Sequence, residues 1–316
     1  MGKIYNSIVE LVGNTPLLRL NRFEEELGIE ANILAKLEYF NPTSSIKDRI
    51  AVAMIEDAEA AGKIKKGGFF AETTSGNTGI SLAAFATVKG YKFQPYMSKN
   101  VSEERSKVIR AYGADLVYQE DVPEAKKALD ENNGDFVAGT AAIKKKLAEQ
   151  GVFVMNQMFN PKNPGGHYES TGKEIWEDTD GKVDVLVSSV GTGGTISGTG
   201  RYLKEKNPDI KIIAVEPAAG EFDITGIHRF SDVPENHFPG NLDRAVYDEV
   251  ITAPQEEAKK AAREVARTDG ILVGVSSGAA LYAAKLLAKR PEYKGKNIAV
   301  ILPDTGLRYL STDLFE

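Results

Sequence analysis

The stretch on which the fold depends is NPTSSIKDR, residues 41–49. A strand-like run, ANILAKLEY (31–39), precedes it, and its proline and serines predict a turn that begins a helix. From residue 47 to 61 apolar side chains recur at helical spacing, which places Lys47 in the first turn. A cation is unfavourable there because a helix N-terminus already carries partial positive charge. Lys47 is therefore either a solvated surface lysine or a lysine that the protein uses chemically.

The composition narrows the class of protein. Of 316 residues, 42% are hydrophobic, which is enough for one large or two ordinary domains. The net charge of -6 and the absence of a basic stripe argue against a nucleic-acid partner. There is no cysteine, and the three histidines lack metal-binding spacing, so we expect no disulfide, no thiolate catalysis and no metal site. No apolar run has membrane-span length and the N-terminus lacks a signal-peptide core, so we expect a cytoplasmic protein without a membrane partner.

Strand and helix patterns alternate along most of the chain. This alternation predicts an α/β protein with parallel sheets covered by helices, and two sheets fit the number of strands better than one. Within this alternation, residues 136–138 suggest a brief strand and residues 160–166 a Pro- and Gly-rich loop. Residues 217–241 interrupt the alternation with a long irregular segment of the kind that is usually functional or mobile.

Polar, glycine-containing loops follow the predicted strands, where ligands bind in open parallel sheets. In the first loop (TSGNTG, 74–79), four polar side chains stand at a helix start and predict an anion site suited to a carboxylate. A single capping residue would satisfy the helix, so a ligand explains this number of polar residues better than capping alone. These four residues are Thr74, Ser75, Asn77 and Thr78.

The second loop (GTGGT, 191–195) follows an apolar strand and opens a helix, as phosphate-binding loops do. It is neither a Walker loop nor the G-x-G-x-x-G fingerprint, because Ile196 occupies the third glycine position. However, the next strand ends in Glu216, where a dinucleotide fold would place its ribose-binding acid. A nicotinamide-dependent oxidoreductase therefore remains an alternative. In the third loop (GVSSG, 274–278), a serine could cap a helix or face a heteroaromatic nitrogen.

A reactive lysine, a phosphate loop and a carboxylate loop together indicate pyridoxal 5'-phosphate (PLP) and an amino-acid substrate. Lysine forms a Schiff base with the PLP aldehyde, and the phosphate suits a helix N-terminus. A non-catalytic binding relative is a third possibility, against which the presence of Lys47 and both loops argues.

Four stretches, NPTSSIKDR, TSGNTGI, GTGGTISG and GVSSGAA, resemble the signatures of the cysteine synthase (O-acetylserine sulfhydrylase) and cystathionine β-synthase family. These are fold-type II PLP enzymes with a tryptophan synthase β-like architecture. The likeness covers nearly the whole chain. It implies a larger cofactor-binding domain from residues 1–39 plus 152–316, a smaller mobile substrate-binding domain from residues 40–151, and an active site between them.

The resemblance also implies roles for single residues. Lys47 would be the Schiff-base lysine and the acid–base group, Asn77 would bond the cofactor's ring hydroxyl, and Ser276 would face the pyridine nitrogen. Gln157 would contact substrate. The substrate carboxylate would bind the first loop, at Thr74, Ser75, Asn77 and Thr78. The phosphate would bind the second loop, at Gly191, Thr192, Gly193, Gly194 and Thr195.

The implied reaction is β-replacement through an α-aminoacrylate intermediate, forming cysteine from O-acetylserine and sulfide. The family is usually homodimeric, and some members bind the C-terminal tail of serine acetyltransferase. The segment FDITGIHRFSDVPENHF (222–238) departs most from the family, which has a lysine- and glycine-rich segment there, and this departure argues against that partner. An acid, Asp232, replaces glycines. We therefore hypothesise a cysteine lyase as the alternative, in which Asp232 activates water and cysteine gives serine and hydrogen sulfide. His228 is a second candidate base.

Overall fold

The computed structural model describes residues 4–74, 76–220 and 224–316. Strands in these residues are β1 (Leu17–Arg19), β2 (Asn32–Leu37), β3 (Phe69–Thr73), β4 (Lys92–Met97), β5 (Val117–Tyr118), β6 (Phe153–Val154), β7 (Val185–Ser189), β8 (Lys211–Pro217), β9 (Glu249–Ala253) and β10 (Asn297–Leu302). Helices are α1 (Asn21–Leu27), α2 (Lys47–Ala60), α3 (Asn77–Lys89), α4 (Glu103–Ala111), α5 (Pro123–Glu131), α6 (Phe136–Glu149), α7 (Lys162–His167), α8 (Lys173–Asp178), α9 (Gly194–Lys206), α10 (Gln255–Thr268) and α11 (Val275–Ala288).

The chain divides into two compact units. The larger consists of Val12–Arg49 and Asn163–Glu316, and the smaller of Ile50–Lys162 with the residues up to Leu11. These boundaries differ from the predicted domains at three places. Residues 40–49 belong to the larger unit because Ile46 N–H donates to the Pro303 carbonyl. The N-terminal residues and residues 152–162 belong to the smaller unit.

The larger unit is built on a six-stranded sheet in the order β1-β2-β10-β7-β8-β9. Its strands are parallel except β1, which is antiparallel to β2. Side chains alternate between the two faces along each strand. On β10, Ile298, Val300 and Leu302 belong to the core cluster that includes α10 and α11, while Ala299 and Ile301 belong to the cluster that includes α9. Both faces are thus covered, as expected of a parallel sheet.

The smaller unit has a parallel four-stranded sheet in the order β5-β4-β3-β6. On one face Ala71 and Tyr96 pack with Ile143 and Leu147 of α6. Phe70 is fully buried and stacks against Phe93, with ring centroids 5.0 Å apart. The predicted α/β class with two parallel sheets is confirmed.

Two local predictions are wrong. Residues 136–138 begin helix α6 rather than a strand, because the Asp135 side chain caps it by accepting from Val137 N–H at 2.9 Å. The predicted loop 160–166 contains α7, which follows an Asn160 side chain that accepts from Lys162 N–H at 3.0 Å. Within the described ranges, no helix is long and apolar enough to cross a membrane.

Candidate active site

Lys47 is the first residue of α2, as predicted. The turn before it places Ser44 in the left-handed region, with φ 58°, and pairs Ser45 with Asp304 through an isolated β-bridge. Lys47 is partly accessible to solvent. Burial of its amine lowers the pKa of Lys47 to about 8, although the negative charge of Asp304 acts to raise it. About a tenth of Lys47 is therefore a neutral, nucleophilic amine at pH 7, far more than for an ordinary lysine.

A buried ionic network fixes the start of α2. Arg49 donates to both carboxylate oxygens of Glu38 at 2.7 and 2.8 Å and to both oxygens of Glu174 at 2.7 and 2.8 Å. Lys36, whose side chain is fully buried, lies 3.0 Å from Glu174. Burial acts to raise the pKa of Glu174, but the hydrogen bonds and charge of Arg49 outweigh it and lower that pKa to about 2. Because each ion pair of Arg49 is bidentate, the network fixes the orientation of the guanidinium group as well as its position.

The second loop links β7 to α9 and is shaped by its glycines. Gly193 has φ 82°, in the left-handed region, and a Cβ there would lie 2.5 Å from Leu242 Cβ. A Cβ on Gly191 or Gly194 would collide with the Gly226 carbonyl oxygen or with Asn163 Oδ1, respectively. The loop therefore requires glycine, and it ends at the N-terminus of a 13-residue helix, which suits an anion.

The two threonines of this loop have defined partners. Thr192 Oγ accepts from Asn163 Nδ2 at 3.0 Å, and Thr195 Oγ is 3.1 Å from His167 Nε2. His167 is fully buried, and its Nδ1 is 2.9 Å from Thr171 Oγ. Burial, with the positive charges of Arg49 and Lys47, lowers the pKa of His167 well below its usual value. The imidazole is therefore neutral at pH 7, and it orients the Thr195 hydroxyl.

Ser276 is the second residue of α11 and is buried, 5% exposed. It lies in the larger unit with Lys47 and residues 191–195. These residues fit PLP: a glycine-lined helix start for the phosphate, an amine with lowered pKa for the aldehyde, and a hydroxyl donor at a second helix start for the ring.

The first loop belongs to the smaller unit, between β3 and α3. Thr74 Oγ accepts from Gly76 N–H and Gly79 N–H, at 3.3 and 3.2 Å. Asn77 is the first residue of α3, and Ser75 lies outside the described residues. Thr78 Oγ donates to Gln157 Oε1 at 2.6 Å. The structure thus brings Gln157 to Thr78 although 79 positions separate them in sequence.

The segment 222–238, here called the altered segment because it departs most from the family, is anchored at several points. Residues 221–223 lie outside the described residues. His228 N–H donates to the Val190 carbonyl at 2.8 Å, directly before the glycine loop. Glu216 Oε2 accepts from the N–H groups of Phe230 and Ser231 at 2.8 and 3.0 Å. Glu216 is 1% exposed and fully engaged by this segment, which leaves it unable to bind a ribose.

The ionisable side chains of this segment differ in environment. Asp232, with 60% of its side chain exposed, forms a bidentate pair with Arg229 at 2.5 and 2.8 Å. Hydrogen bonding from Arg229 lowers the pKa of Asp232, so this carboxylate is a weak base. Part of the His228 side chain is exposed to solvent. Desolvation of its ring by the surrounding protein lowers the pKa of His228, and the positive charge of Lys47 lowers it further. The base role of Asp232 stays a prediction.

Sequence reasoning did not identify Glu72, Lys144 or His167. Glu72 is the penultimate residue of β3, two residues before the first loop, and a buried acid in an apolar strand was the available signal. His167 was noted only for lacking metal spacing. Among the described residues, no group of ligand-type side chains could hold a metal ion.

Comparison with known proteins defines the class. A model of the family described as "Pyridoxal-phosphate dependent enzyme" matches residues 8–304. The chain belongs to this family. The predicted enzyme class and cofactor are confirmed, and the nicotinamide alternative is wrong.

Individual relatives within the family are similar to this chain over nearly its full length. The chain is 43% identical to cysteine synthase A of Salmonella typhi, over 100% of this chain and 97% of that protein. It is similar to the structure of a cysteine synthase from Entamoeba histolytica, with 41% identity, TM-score 0.88, and 99% and 91% of the two chains covered. A hydrogen sulfide-producing enzyme from Fusobacterium nucleatum has 36% identity and TM-score 0.82, with 97% and 100% covered.

Proposed function

We propose that this protein catalyses β-replacement on an amino acid, making L-cysteine and acetate from O-acetyl-L-serine and sulfide. The observation that carries the proposal is the position of Lys47 at the start of α2, in the unit that also holds the glycine-lined helix start. Burial lowers the pKa of this amine to about 8, which suits its proposed role. The similarity to cysteine synthases over essentially the full chain gives the substrate class.

Lys47 performs the proton transfers in the proposed reaction. When bound, PLP supplies an electron sink for the negative charge that develops at the substrate Cα. Lys47 Nζ takes the proton from Cα as acetate leaves Cβ, and it returns a proton to Cα after sulfide adds at Cβ. An amine with a pKa near the working pH suits both directions of transfer.

The polar loops bind and orient. Residues 191–195 would hold the phosphate through backbone N–H groups and the Thr192 and Thr195 hydroxyls. Ser276 would offer a neutral hydroxyl to the ring nitrogen, which favours elimination and replacement because no carboxylate stabilises a protonated ring. Thr74, Ser75, Asn77, Thr78 and Gln157 would bind the substrate carboxylate, and we infer that their unit is the mobile one.

The test is a product assay on holoenzyme. O-acetylserine plus sulfide should give cysteine and acetate in equal amounts, and Lys47→Ala should abolish the reaction. If wild-type holoenzyme produces no cysteine, the proposed function is wrong.

A second candidate is a cysteine lyase: L-cysteine and water give L-serine and hydrogen sulfide. The altered segment 222–238 and the similarity to a hydrogen sulfide-producing enzyme favour it. Here a base removes a proton from water, whose oxygen adds at Cβ after sulfide has left. Asp232 is the predicted base, and it would have to leave Arg229 to act.

Two substitutions separate the candidate bases. If Asp232 is the base, Asp232→Asn should reduce serine formation from cysteine about 100-fold and spare cysteine formation from O-acetylserine. His228→Asn is the matched variant, since it changes a neighbouring ionisable group of the same segment. Unchanged rates for every half-reaction in Asp232→Asn would exclude Asp232.

We also propose a homodimer in the cytoplasm. The dimer is tested by light scattering of the purified holoenzyme. Serine acetyltransferase is the partner to test, and the altered segment leads us to expect no binding of its C-terminal tail in a titration that uses the corresponding peptide.

A further inference from the structure

Strands β3 and β6 separate next to the first loop, and a buried carboxylate lies at that point. The two strands pair through Phe70 with Phe153 and Ala71 with Val154. Met155 N–H still donates to the Ala71 carbonyl at 3.1 Å, and Asn156 then turns into the left-handed region with φ 57°. The ladder between the strands ends here, so the next backbone N–H groups need another acceptor.

Glu72 supplies that acceptor. Its Oε2 accepts from Gln157 N–H at 3.1 Å, and the backbone N–H groups of Asn156 and Thr73 also hydrogen-bond its carboxylate. Glu72 is 1% exposed. An ionised carboxylate only accepts, whereas a protonated one donates from one oxygen and loses acceptor capacity. Because three backbone N–H groups share this carboxylate, the arrangement favours the ionised form.

One cation faces this carboxylate. Lys144 of α6 interacts electrostatically with Glu72 and donates to Asn156 Oδ1 at 2.6 Å. In the part of the chain that the structure describes, Lys144 is the charged side chain whose field acts on Glu72. Burial raises the pKa of Glu72, and although Lys144 and the backbone N–H groups oppose this, the value is about 7. The carboxylate thus titrates in the physiological range.

The side chain of Gln157 extends this arrangement to the first loop. Its Nε2 donates to the Thr73 carbonyl at 3.2 Å, and its Oε1 accepts from Thr78 Oγ at 2.6 Å. The amide nitrogen of Gln157 is therefore oriented by the end of β3 and its amide oxygen by the first loop, while Glu72 orients the Gln157 backbone. A substitution at Glu72 should therefore displace Gln157 and, through Gln157, Thr78.

We propose that ionised Glu72 is a positioning residue for substrate recognition, which holds Gln157 and Thr78 in the geometry that binds the carboxylate of the amino-acid substrate. The proposal rests on the proposed function, because Gln157 and Thr78 must be substrate-binding residues. Glu72 acts through Gln157, to whose backbone N–H it is hydrogen-bonded, so its effect is on substrate affinity.

The test is the steady-state kinetics of Glu72→Gln holoenzyme between pH 6 and 8.5. The amide keeps the size of the side chain but replaces an acceptor oxygen with a donor. Losing one or two hydrogen bonds at Gln157 should raise KM for the amino acid about tenfold and leave kcat within about twofold. In wild type, kcat/KM should fall below pH about 7 as Glu72 is protonated, and Glu72→Gln should lose this component.

Two further variants sharpen the test. Glu59→Gln is the matched control: this carboxylate accepts from Lys89 and Tyr91, at the opposite end of α3 from the loop, and its substitution should leave KM unchanged. Lys144→Met removes the cation that lowers the pKa of Glu72, so the break in kcat/KM should move to higher pH. If Glu72→Gln fails to fold, the Lys144→Met profile still tests the proposal, because an unmoved break in kcat/KM would contradict a role for ionised Glu72.

Hydrogen exchange of the peptide covering residues 153–160 gives a readout independent of activity. Exchange should accelerate in Glu72→Gln because the amide keeps a single acceptor oxygen for the N–H groups of Thr73, Asn156 and Gln157. Unchanged KM and an unchanged pH profile in Glu72→Gln would overturn the proposal, as would a loss confined to kcat. Inactive wild-type holoenzyme would instead overturn the proposed function.

Discussion

The Asp304→Asn substitution tests the electrostatics of Lys47 directly. Asp304 is 1% exposed, and its charge is the interaction that raises the pKa of Lys47 against burial. With a pKa of about 8, about 9% of Lys47 is neutral at pH 7, against about 0.03% for an ordinary lysine. The apoprotein should therefore combine with PLP about 300-fold faster than an unperturbed lysine would at that pH.

The assay follows the visible absorbance that appears when PLP is mixed with apoprotein at pH 6 to 10. The wild-type rate should rise with pH through a midpoint of about 8. In Asp304→Asn the midpoint should move lower, because the opposing charge is gone. Tyr309→Phe is the control: it removes the hydroxyl that donates to Asp304 at 2.8 Å but leaves the charge, so the midpoint should stay.

The lowered pKa of Lys47 also makes the stability of the apoprotein depend on pH, because protonation and folding are linked. Because the folded pKa is lowered, the unfolded state binds an extra proton between pH about 8 and 10.5, and apoprotein stability should rise with pH across that window. At pH 7 the buried charge costs about 3 kcal/mol, so the Lys47→Met apoprotein should unfold at higher urea than wild type. A wild-type midpoint near 10.5, or an unchanged midpoint in Asp304→Asn, would refute the reasoning.

Two further predictions concern the groups around Lys47. Glu174→Gln removes a charged partner of Arg49 and Lys36 and should lower the free energy of unfolding by about 3 kcal/mol in urea at pH 7. Because the folded pKa of Glu174 is lowered to about 2, its contribution in wild type should be present above pH 4.5 and decline as the pH falls toward 2, which urea unfolding at several pH values measures. His167→Leu removes the partner of Thr195 and should weaken PLP binding about tenfold in a fluorescence titration of apoprotein, whereas His167→Gln should restore most of it. Equal affinities for the two His167 variants would contradict an orienting role.

The sequence predicted the regular parts of the fold because their signals are local. Helix α2 was predicted, from apolar side chains at helical spacing, to have Lys47 in its first turn, and it begins at that residue. The strand prediction for residues 136–138 was wrong because three consecutive apolar residues fit a strand and a buried helix equally well. The capping Asp135 was the signal that would have decided between them.

The candidate site was only partly predictable. Lys47 and the two polar loops carry their signal within a few residues, and chemistry alone led from them to PLP. Glu72 and His167 act through partners that lie 85 and 28 positions away in sequence, so their roles depend on tertiary contacts. Gln157 was named through the family resemblance, and its contacts with Thr73 and Thr78 follow from the fold.

An acid near the end of a strand is compatible with more than one role, and for Glu216 the contacts distinguish between them. Its place after a glycine loop matched a ribose-binding acid, but both of its oxygens are engaged by residues 229–231. The same contacts hold the backbone of the altered segment, which is also joined to Val190 through His228 N–H. The side chains at 228 and 232 therefore project from a fixed backbone. We therefore expect an exchange of these side chains to alter the leaving group or nucleophile that the enzyme accepts without changing the fold.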